Sequence, residues 1–304
     1  MKQIILTANP DFRFSASAIN VYLRCPRKFY FTYLLHLSQA TAVATTFGTV
    51  LHRVLERLHT WAGTQPIRPV YEQALVQAEL EFANCWQEAA RGFEFPAVEK
   101  AQRVRARRML ERYVRAEFQR MDVPVRTLSE IAFEQGFQLG AFPMAGRIDR
   151  VDEFANGSQT IIDYKTGDED DGPNALIKRF LNLTQKPNWK ASDYQLPLYY
   201  FYWLEKYGQP PQALAHYQLR HPKGPRLTLI EVKPGLPTDE ELTKSTRKYI
   251  YSGEMAQVKS QLLGLLEKMN WGNDDFPAQP AVYRDCGMCA FNFACDGPAQ
   301  GDEE

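Results

Sequence analysis

The residues with the clearest chemical potential are an acid and an amine, Asp163 and Lys165, in the stretch TIIDYKTG over 160–167. The Thr, Ile and Tyr residues around them favour a β-strand. Side chains two positions apart on a strand point to the same face, so the carboxylate and the ammonium group are expected to lie side by side. An isolated pair of this kind also occurs as a surface ion pair on an edge strand, which is the alternative interpretation.

A second acid, Asp149, occurs one predicted strand earlier, in AGRIDRVDEF. The Asn156-Gly157 dipeptide between the two strands predicts a tight hairpin, which brings Asp149 and Asp163 to one edge of a sheet. Two carboxylates suit Mg²⁺ or Mn²⁺, ions that prefer oxygen ligands and keep bound water. Such an ion polarises a phosphoryl oxygen and activates water, while Lys165 orients the attacking water and offsets developing charge.

Three further residues are candidates for the same site. His52 follows Gly48 on a predicted helix, GTVLHRVLE. Gln195 and Tyr199 lie four residues apart in DYQLPLYYFY and therefore on one helical face. Each of these residues, taken alone, is more typical of a packed or solvated helix than of a site. The acidic run at 168–171 lies between two glycines, so we interpret it as a solvated loop rather than as a metal site.

Cysteines form the second group of chemically capable residues. Three near the C-terminal end have C-x₂-C-x₅-C spacing: Cys286, Cys289 and Cys295. A tetrahedral thiolate site needs four ligands, and Cys25 in LRCPRKFYF is the natural fourth. Thiolate chemistry alone leaves zinc and an iron–sulfur cluster open. Cys85, in an apolar helical segment, is expected to be a buried thiol.

The elements that position these residues follow from the spacing of apolar residues. Helices are predicted over 14–37 with a break at Pro26, over 45–61, twice within 69–122, over 192–208 and over 238–271. Strands are predicted over 129–139, 142–154, 158–166, 214–221 and 227–235. This order predicts one α/β domain, in which helices flank a central mixed sheet and a helical insertion lies on the N-terminal side.

In this order the candidate residues resemble the PD-(D/E)XK nuclease superfamily, specifically its RecB-like exonuclease branch, whose motifs run His, Asp, (D/E)-x-K and Q-x-x-x-Y. The resemblance implies a restriction-endonuclease-like core. The metal ligands that it implies are His52, Asp149, Asp163 and the Tyr164 carbonyl oxygen. It also implies that Lys165 positions the water and that Gln195 and Tyr199 support the site and the phosphate. Ile148 replaces the proline of the family motif, which leaves the metal-binding acid in place.

The split cysteine arrangement is similar to that of AddB-type helicase–nuclease subunits and of CRISPR spacer-acquisition nucleases. The similarity implies a structural 4Fe–4S cluster on four ligands: Cys25, Cys286, Cys289 and Cys295. Zinc on the same thiolates is the alternative. The resemblance also implies one iron–sulfur nuclease domain over 12–297, with a helical insertion at about 60–125, a catalytic core at about 128–235, a cysteine loop at 284–297 and an acidic tail at 298–304.

The function that the resemblance implies is a Mg²⁺- or Mn²⁺-dependent deoxyribonuclease, an exonuclease of DNA repair and recombination that works beside a helicase subunit. The alternatives are a CRISPR adaptation-type iron–sulfur exonuclease and a non-catalytic DNA-binding scaffold subunit of the same fold. The chain has no apolar run of about 18 residues, so a cytoplasmic protein without membrane contact is expected.

The net charge of the chain limits where DNA could bind. A formal net charge of zero does not indicate a general polyanion binder, so contacts with DNA must come from a local patch. The segment 100–120 holds eight Lys or Arg residues and two Glu residues. It predicts either a helix that follows DNA phosphates or a solvated helix with internal Glu–Arg pairs.

Overall fold

Alternating apolar and polar residues in the middle of the chain form a mixed β-sheet in the computed structural model. In chain order the strands are β1 (Arg126–Ala132), β2 (Gln138–Leu139), β3 (Phe142–Pro143), β4 (Arg147–Glu153), β5 (Gln159–Lys165), β6 (Ala213–Gln218), β7 (Arg226–Lys233) and β8 (Tyr249–Tyr251). Within the described residues, six of them pair in the order β1-β4-β5-β6-β7-β8, and β2 pairs with β3 separately. The pairs β5–β6 and β7–β8 are parallel, so the sheet is mixed, as predicted.

Helices precede, interrupt and follow these strands. They are α1 (Ile4–Ala8), α2 (Ala16–Arg24), α3 (Pro26–Phe29), α4 (Val43–Thr64), α5 (Tyr71–Ala89), α6 (Pro96–Phe118), α7 (Pro173–Leu181), α8 (Gln195–Tyr207), α9 (Asp239–Thr243), α10 (Ser252–Asn270) and α11 (Arg284–Gly287). A π-helical turn, Tyr30–Leu34, follows α3, and a 3₁₀ turn, Asn292–Ala294, follows α11. Across the described residues, no helix is both long and apolar enough to cross a membrane.

The structure describes residues 4–37, 43–90, 93, 95–133, 136–167, 172–181, 194–243, 246–270, 276–280, 284–287 and 289–295. The acidic run at 168–171 and the acidic tail at 298–304 lie outside the described residues, so the interpretations given for them stay predictions.

The predicted hairpin between β4 and β5 is confirmed. The two strands are antiparallel, and their pairing extends as far as Arg150 opposite Ile162. At the turn, Gly157 has a φ of 79°, a left-handed conformation that glycine adopts without a steric penalty. The turn fixes the register of the hairpin, and this register brings the far ends of β4 and β5 to one edge of the sheet.

The sheet lies between two hydrophobic cores because consecutive residues of a strand face opposite sides. Ile161 packs in the larger core with residues of α8 and α10, whereas Ile162 and Tyr164 pack against α4, α5 and α6. Asp163 and Lys165 have the same parity as Ile161 and therefore belong to the α8 side of β5. The chemically capable side chains and the aromatic side chain of β5 thus point in opposite directions.

The helices differ from the sequence prediction in some segments and agree with it in others. The single helix over 238–271 is wrong, because that segment contains α9, then β8, then α10. β8 pairs in parallel with β7, and this long-range contact is not visible in local helical spacing. The break predicted at Pro26 is confirmed, because Cys25 is extended and a following proline disfavours the helical conformation. α7 was not predicted.

Candidate active site

Two side chains at the end of β5 contact each other, as the spacing predicts. The Lys165 ammonium nitrogen lies 2.6 Å from a carboxylate oxygen of Asp163. Gln195, at the start of α8, accepts a hydrogen bond from the same ammonium group at 2.5 Å. The Asp163 side chain is only 2% exposed, whereas 21% of the Lys165 side chain is exposed. The acid and the amide therefore orient an amine that reaches solvent at the edge of the sheet.

Asp149 reaches this edge from β4. Backbone pairing of β4 with β5 ends at Arg150 and Ile162. Beyond that point, the Asp149 Oδ2 atom accepts a hydrogen bond from the backbone amide of Tyr164 at 2.8 Å. A buried backbone amide needs an acceptor, and here a side-chain carboxylate supplies it in place of a β4 carbonyl. The interrupted ladder thus brings a carboxylate to the centre of the site.

Three side chains have the spacing of a metal site. His52, Glu130 and Asp149 each offer one ligand atom, and these atoms all lie within 4.8 Å of one another. The distance from His52 Nδ1 to Asp149 Oδ1 is 3.4 Å. The structure thus brings together two of the predicted ligands, His52 and Asp149, with an acid that was not predicted. Asp163 is not in this group, so its role as a ligand and that of the Tyr164 carbonyl stay predictions.

Glu130 is the ligand candidate that sequence reasoning missed. It lies on β1 between residues that pair with Arg150 and Ile148, so the register places it across from Asp149. Its φ of 52° is left-handed, which costs a residue other than glycine roughly 1–2 kcal/mol. Arg147 holds the carboxylate with an ion pair of 2.5 Å. An acid in the strand-like stretch SEIAF was the only signal, and its meaning depends on the non-local pairing of β1 with β4.

The charges around this group favour a cation. Burial alone lowers the pKa of His52, but the hydrogen bond and charge of Asp149, with the charges of two further acids, outweigh burial and raise it. Burial raises the pKa of Glu130, and the charge of Asp149 raises it further, against the opposing effect of Arg147. The raised pKa of His52 reflects the negative charge of the acids around it, which a divalent ion neutralises. One imidazole and two carboxylates therefore fit a divalent metal ion.

Two more residues complete the description of the site. His216 on β6 was not predicted; it pairs in register with Asp163, and its Nε2 atom lies 3.7 Å from the Asp163 carboxylate. Its only sequence signal was a histidine within the otherwise buried strand LAHYQL. Tyr199 lies one helical turn after Gln195, is buried, and packs its ring edge-on against Phe133 at 6.0 Å. Tyr199 therefore belongs to the wall behind the amide that holds Lys165.

A buried ionic cluster supports the back of the site from β4. Arg150 is fully buried and donates to both carboxylate oxygens of Asp152 at 2.7 Å. It also donates to Glu117 of α6 at 2.7 Å. Burial by itself raises the pKa of Asp152, yet the charge and hydrogen bonds of Arg150 prevail and lower it to about 2. These ionised groups hold α6 against the sheet.

The same guanidinium extends the cluster to α4 and β5. It donates to His59 Nε2 at 3.1 Å and to the Tyr113 hydroxyl at 2.8 Å. Burial, reinforced by the charge of Arg150, lowers the pKa of His59 to about 3. Tyr113 shares a hydrogen bond of 3.0 Å with Tyr164, and burial raises the pKa of Tyr164 to about 12. Tyr164 is therefore fixed at two points, by its hydroxyl in this cluster and by its amide on Asp149.

The four candidate cysteines line one cavity. Its volume is about 80 Å³, and its cysteines are Cys25, Cys286, Cys289 and Cys295. Arg27 joins the two distant segments, because its Nε atom donates to the Phe276 carbonyl at 2.7 Å. Among the described residues, no three cysteine sulfurs lie within 4.8 Å of one another. Cys85 lies apart in the core formed with α4 and α6, and its prediction as a buried thiol is confirmed.

Comparisons with known proteins found a family model, curated relatives and a solved structure that match this chain. Residues 13–296 match the family model described as the PD-(D/E)XK nuclease superfamily. The chain is also similar to proteins named as a subunit of ATP-dependent helicase/deoxyribonuclease, from Streptococcus pyogenes serotypes M49 (strain NZ131), M4 (strain MGAS10750) and M1. Each of these matches is 27% identical over 180 residues and covers 54% of this chain but only 15% of the relative. The solved structure described as the crystal structure of SSO0001 is 14% identical, with a TM-score of 0.32, over 82% of this chain and 95% of that chain.

Proposed function

The chain belongs to the PD-(D/E)XK nuclease superfamily, and from this premise we propose that it is a metal-dependent DNA nuclease that hydrolyses phosphodiester bonds. The observation that carries the proposal is the meeting of two groups of side chains at one edge of the sheet. His52, Glu130 and Asp149 offer ligand atoms to a divalent ion, and the hairpin brings Lys165 to the same edge. The name of the Streptococcus pyogenes relatives, which includes deoxyribonuclease, supports DNA as the substrate.

The metal in this proposal is Mg²⁺ or Mn²⁺. His52 and Asp149 bind it together with Glu130, and Asp163 and the Tyr164 carbonyl are the further ligands that the family resemblance implies. When bound, such an ion polarises a phosphoryl oxygen and lowers the pKa of a coordinated water. The hydrogen bond from the Tyr164 amide to Asp149 fixes one oxygen of that carboxylate, so the other oxygen is directed to the side of His52.

Lys165 is the proposed positioning group for the attacking water. Asp163 and Gln195 both contact its ammonium group. These two contacts fix the position of the ammonium group, although the lysine side chain is long and would otherwise be mobile. A positive charge held at this place also offsets the negative charge that develops on the phosphorane-like transition state. Tyr199 supports Gln195 from the next helical turn by packing against the core.

The cysteine cavity is the proposed site of a structural 4Fe–4S cluster on Cys25, Cys286, Cys289 and Cys295. The support for this cluster is the shared cavity together with the split cysteine arrangement, and a single zinc ion on the same four thiolates is the alternative. The cluster would fasten the segment around Cys25 to the segment around Cys286.

The proposed biological setting is DNA repair and recombination, with exonuclease action beside a helicase subunit. The support is the name of the relatives, which combines an ATP-dependent helicase with a deoxyribonuclease. The match spans only 15% of the length of these relatives.

Digestion of end-labelled linear DNA and of covalently closed circular DNA tests the proposal. We expect cleavage with Mg²⁺ or Mn²⁺ and none with EDTA, and we expect Asp163→Ala to abolish it while the protein stays folded. Degradation of linear DNA with circular DNA left intact would support an exonuclease. If the unmodified protein binds DNA but cuts neither substrate with either ion, the nuclease proposal fails and a scaffold role replaces it.

A further inference from the structure

One face of α6 carries arginines that form a groove with the loop after β6. Arg105, Arg108 and Arg112 are spaced three and four residues apart, which places them on one side of the helix. Together with Arg220 they line a cavity of about 300 Å³, and we call these four residues the arginine groove. The three helical positions span about 10 Å along the helix axis.

Two arginines on the other sides of α6 have carboxylate partners. Arg107 pairs with Glu79 of α5 at 2.8 Å, and Arg115 pairs with Glu111 at 3.7 Å. The groove differs from these positions. Within the described part of the chain, Arg105, Arg108 and Arg112 pair with no carboxylate. The groove therefore concentrates positive charge on a protein whose formal net charge is zero.

Two of the helical arginines of the groove are held in place by contacts that leave their charge uncompensated. The Arg105 guanidinium lies over the ring of Phe47, 5.3 Å from its centroid. Arg112 donates to the backbone carbonyls of His221 and Pro222 at 3.3 and 3.0 Å. Arginines that are oriented before binding lose less conformational freedom when they bind an anion.

The groove adjoins the proposed active site through two connections. The Leu219 amide donates to the Lys165 carbonyl at 2.8 Å, and the next residue is Arg220. Phe47, which lies under Arg105, precedes Gly48, and a Cβ atom on Gly48 would lie 3.3 Å from the Thr166 hydroxyl. His52 follows Gly48 by one helical turn on α4, about 6 Å along its axis. The positive charge of the arginine groove and the candidate metal ligands around His52 therefore lie at the same end of the sheet.

We propose that the arginine groove binds backbone phosphates of the DNA strand to one side of the phosphodiester bond that is cut. This inference rests on the proposed nuclease function and adds the path of the substrate. Arginine binds phosphate oxygens through paired N–H donors, and three arginines along about 10 Å of helix can contact successive phosphates of one strand. Contacts of this kind position the strand without reading its sequence.

The test compares two double variants of the same helix. Arg105→Gln/Arg108→Gln removes two charges from the groove and keeps Arg112, which holds the loop. Arg103→Gln/Arg107→Gln removes two charges from exposed positions of α6 outside the groove. Binding of a fluorescein-labelled single-stranded oligonucleotide is measured by anisotropy in EDTA, so that no cleavage occurs, over a series of salt concentrations.

We expect the groove variant to bind at least about tenfold more weakly and to reduce the slope of log K against log salt by about 1.4, two contacts at about 0.7 each. The control variant should keep the slope of the unmodified protein. Equal losses in both variants, or no loss in the groove variant, would overturn the proposal. Cleavage by the unmodified protein with Mg²⁺, measured in parallel, separates the two ideas. Cleavage with no loss of binding in the groove variant refutes the groove alone, whereas a specific loss of binding without any cleavage refutes the nuclease alone.

Discussion

Asp149 accepts a hydrogen bond from the backbone amide of Tyr164, so an acid on β4 takes the place of a backbone acceptor for β5. The same carboxylate faces His52 with its other oxygen at 3.4 Å. One side chain thus has a structural contact and a ligand position at the same time. Replacing it by alanine would remove both, and the two roles can be separated only by a substitution that keeps the acceptor.

Asp149→Asn makes that separation, because its amide oxygen still accepts from Tyr164 while the charge is lost. We expect an unchanged melting temperature and at least about tenfold weaker Mn²⁺ binding in calorimetric titration. Glu153→Gln on the same strand serves as the control, since its ion pair with Arg126 is outside the site. Mn²⁺ binding that is equally strong in Asp149→Asn and in the control would remove Asp149 from the ligand set.

Glu130 gives a prediction that the sequence motif alone does not make. If its carboxylate is a ligand, Glu130→Gln weakens Mn²⁺ binding at least about tenfold, and DNA cleavage then requires more metal. Calorimetry with Mn²⁺ measures the first effect and a metal titration of cleavage the second. Glu56→Gln is a suitable control, because Glu56 lines the same pocket but is not in the ligand group. If Glu56→Gln weakened Mn²⁺ binding more than Glu130→Gln did, Glu56 and not Glu130 would be the metal ligand.

Lys165→Met tests the proposed positioning of water. The variant keeps most of the side-chain volume and loses the ammonium group, so cleavage should slow by about 10²–10⁴-fold while Mn²⁺ still binds. Single-turnover cleavage of end-labelled DNA measures the rate. Lys206→Met, on an exposed turn of α8, should cleave at the normal rate. Cleavage by Lys165→Met at that same rate would contradict the role of the amine.

His59 predicts a specific loss of stability in acid. Its pKa is about 3 in the folded protein against 6.5 for an ordinary histidine, mainly because of burial. Between these values the unfolded chain binds a proton that the folded protein does not, so the free energy of unfolding falls as the pH falls. The slope for one proton is at most about 1.4 kcal/mol per pH unit.

Urea denaturation between about pH 6 and pH 4 measures this slope. In His59→Gln the site no longer titrates, so the decline over this range should become shallower. The exposed His36→Asn variant should behave as the unmodified protein does. Asp152 also contributes to the free energy of unfolding, but this contribution is lost only at lower pH. The pKa of Asp152 is about 2 in the folded protein against 3.8 for an ordinary aspartate. An unchanged slope in His59→Gln would mean that another group causes the acid sensitivity.

The cysteine cavity predicts a coloured, iron-containing protein. Cys25→Ala and Cys286→Ala should each lose iron and lower the melting temperature by similar amounts, because either change removes one of four ligands. Cys85→Ala is the matched control: it removes a buried thiol outside the cavity and should retain iron. Iron and zinc analysis with absorption spectroscopy gives the readout. A colourless protein with stoichiometric zinc would replace the cluster by a zinc site.

The sequence pattern of short segments was sufficient to predict the hairpin of β4 and β5 and the contact between Asp163 and Lys165 at its end. The Asn156-Gly157 turn, strand alternation and the spacing of Asp163 and Lys165 are all features of short segments, and the structure has each of them. The family resemblance implied that Gln195 supports the site, but its contact with Lys165 was not predicted. Sequence reasoning therefore succeeds where one element determines the geometry.

Residues whose meaning depends on distant pairing were missed. Glu130 faces Asp149 only because β1 pairs with β4, and His216 lies beside Asp163 only because β6 adds in parallel to β5. β8 likewise depends on β7 for its hydrogen bonds. The ionic cluster of Arg150 joins four separate segments, and nothing in the stretch AGRIDRVDEF distinguishes its buried arginine from an exposed one.

The contact between Arg27 and Phe276 spans 249 positions of the chain, which sets an order of events during synthesis. At about 5–20 residues per second, the ribosome needs roughly 10–50 s to make the second partner after the first. The sheet and α4 to α6 are complete before that moment, while Cys25 still lacks its enclosure. The thiol that is translated first thus waits longest for the partners of its cavity, and a cell that makes this protein must keep Cys25 reduced until Cys295 has been translated.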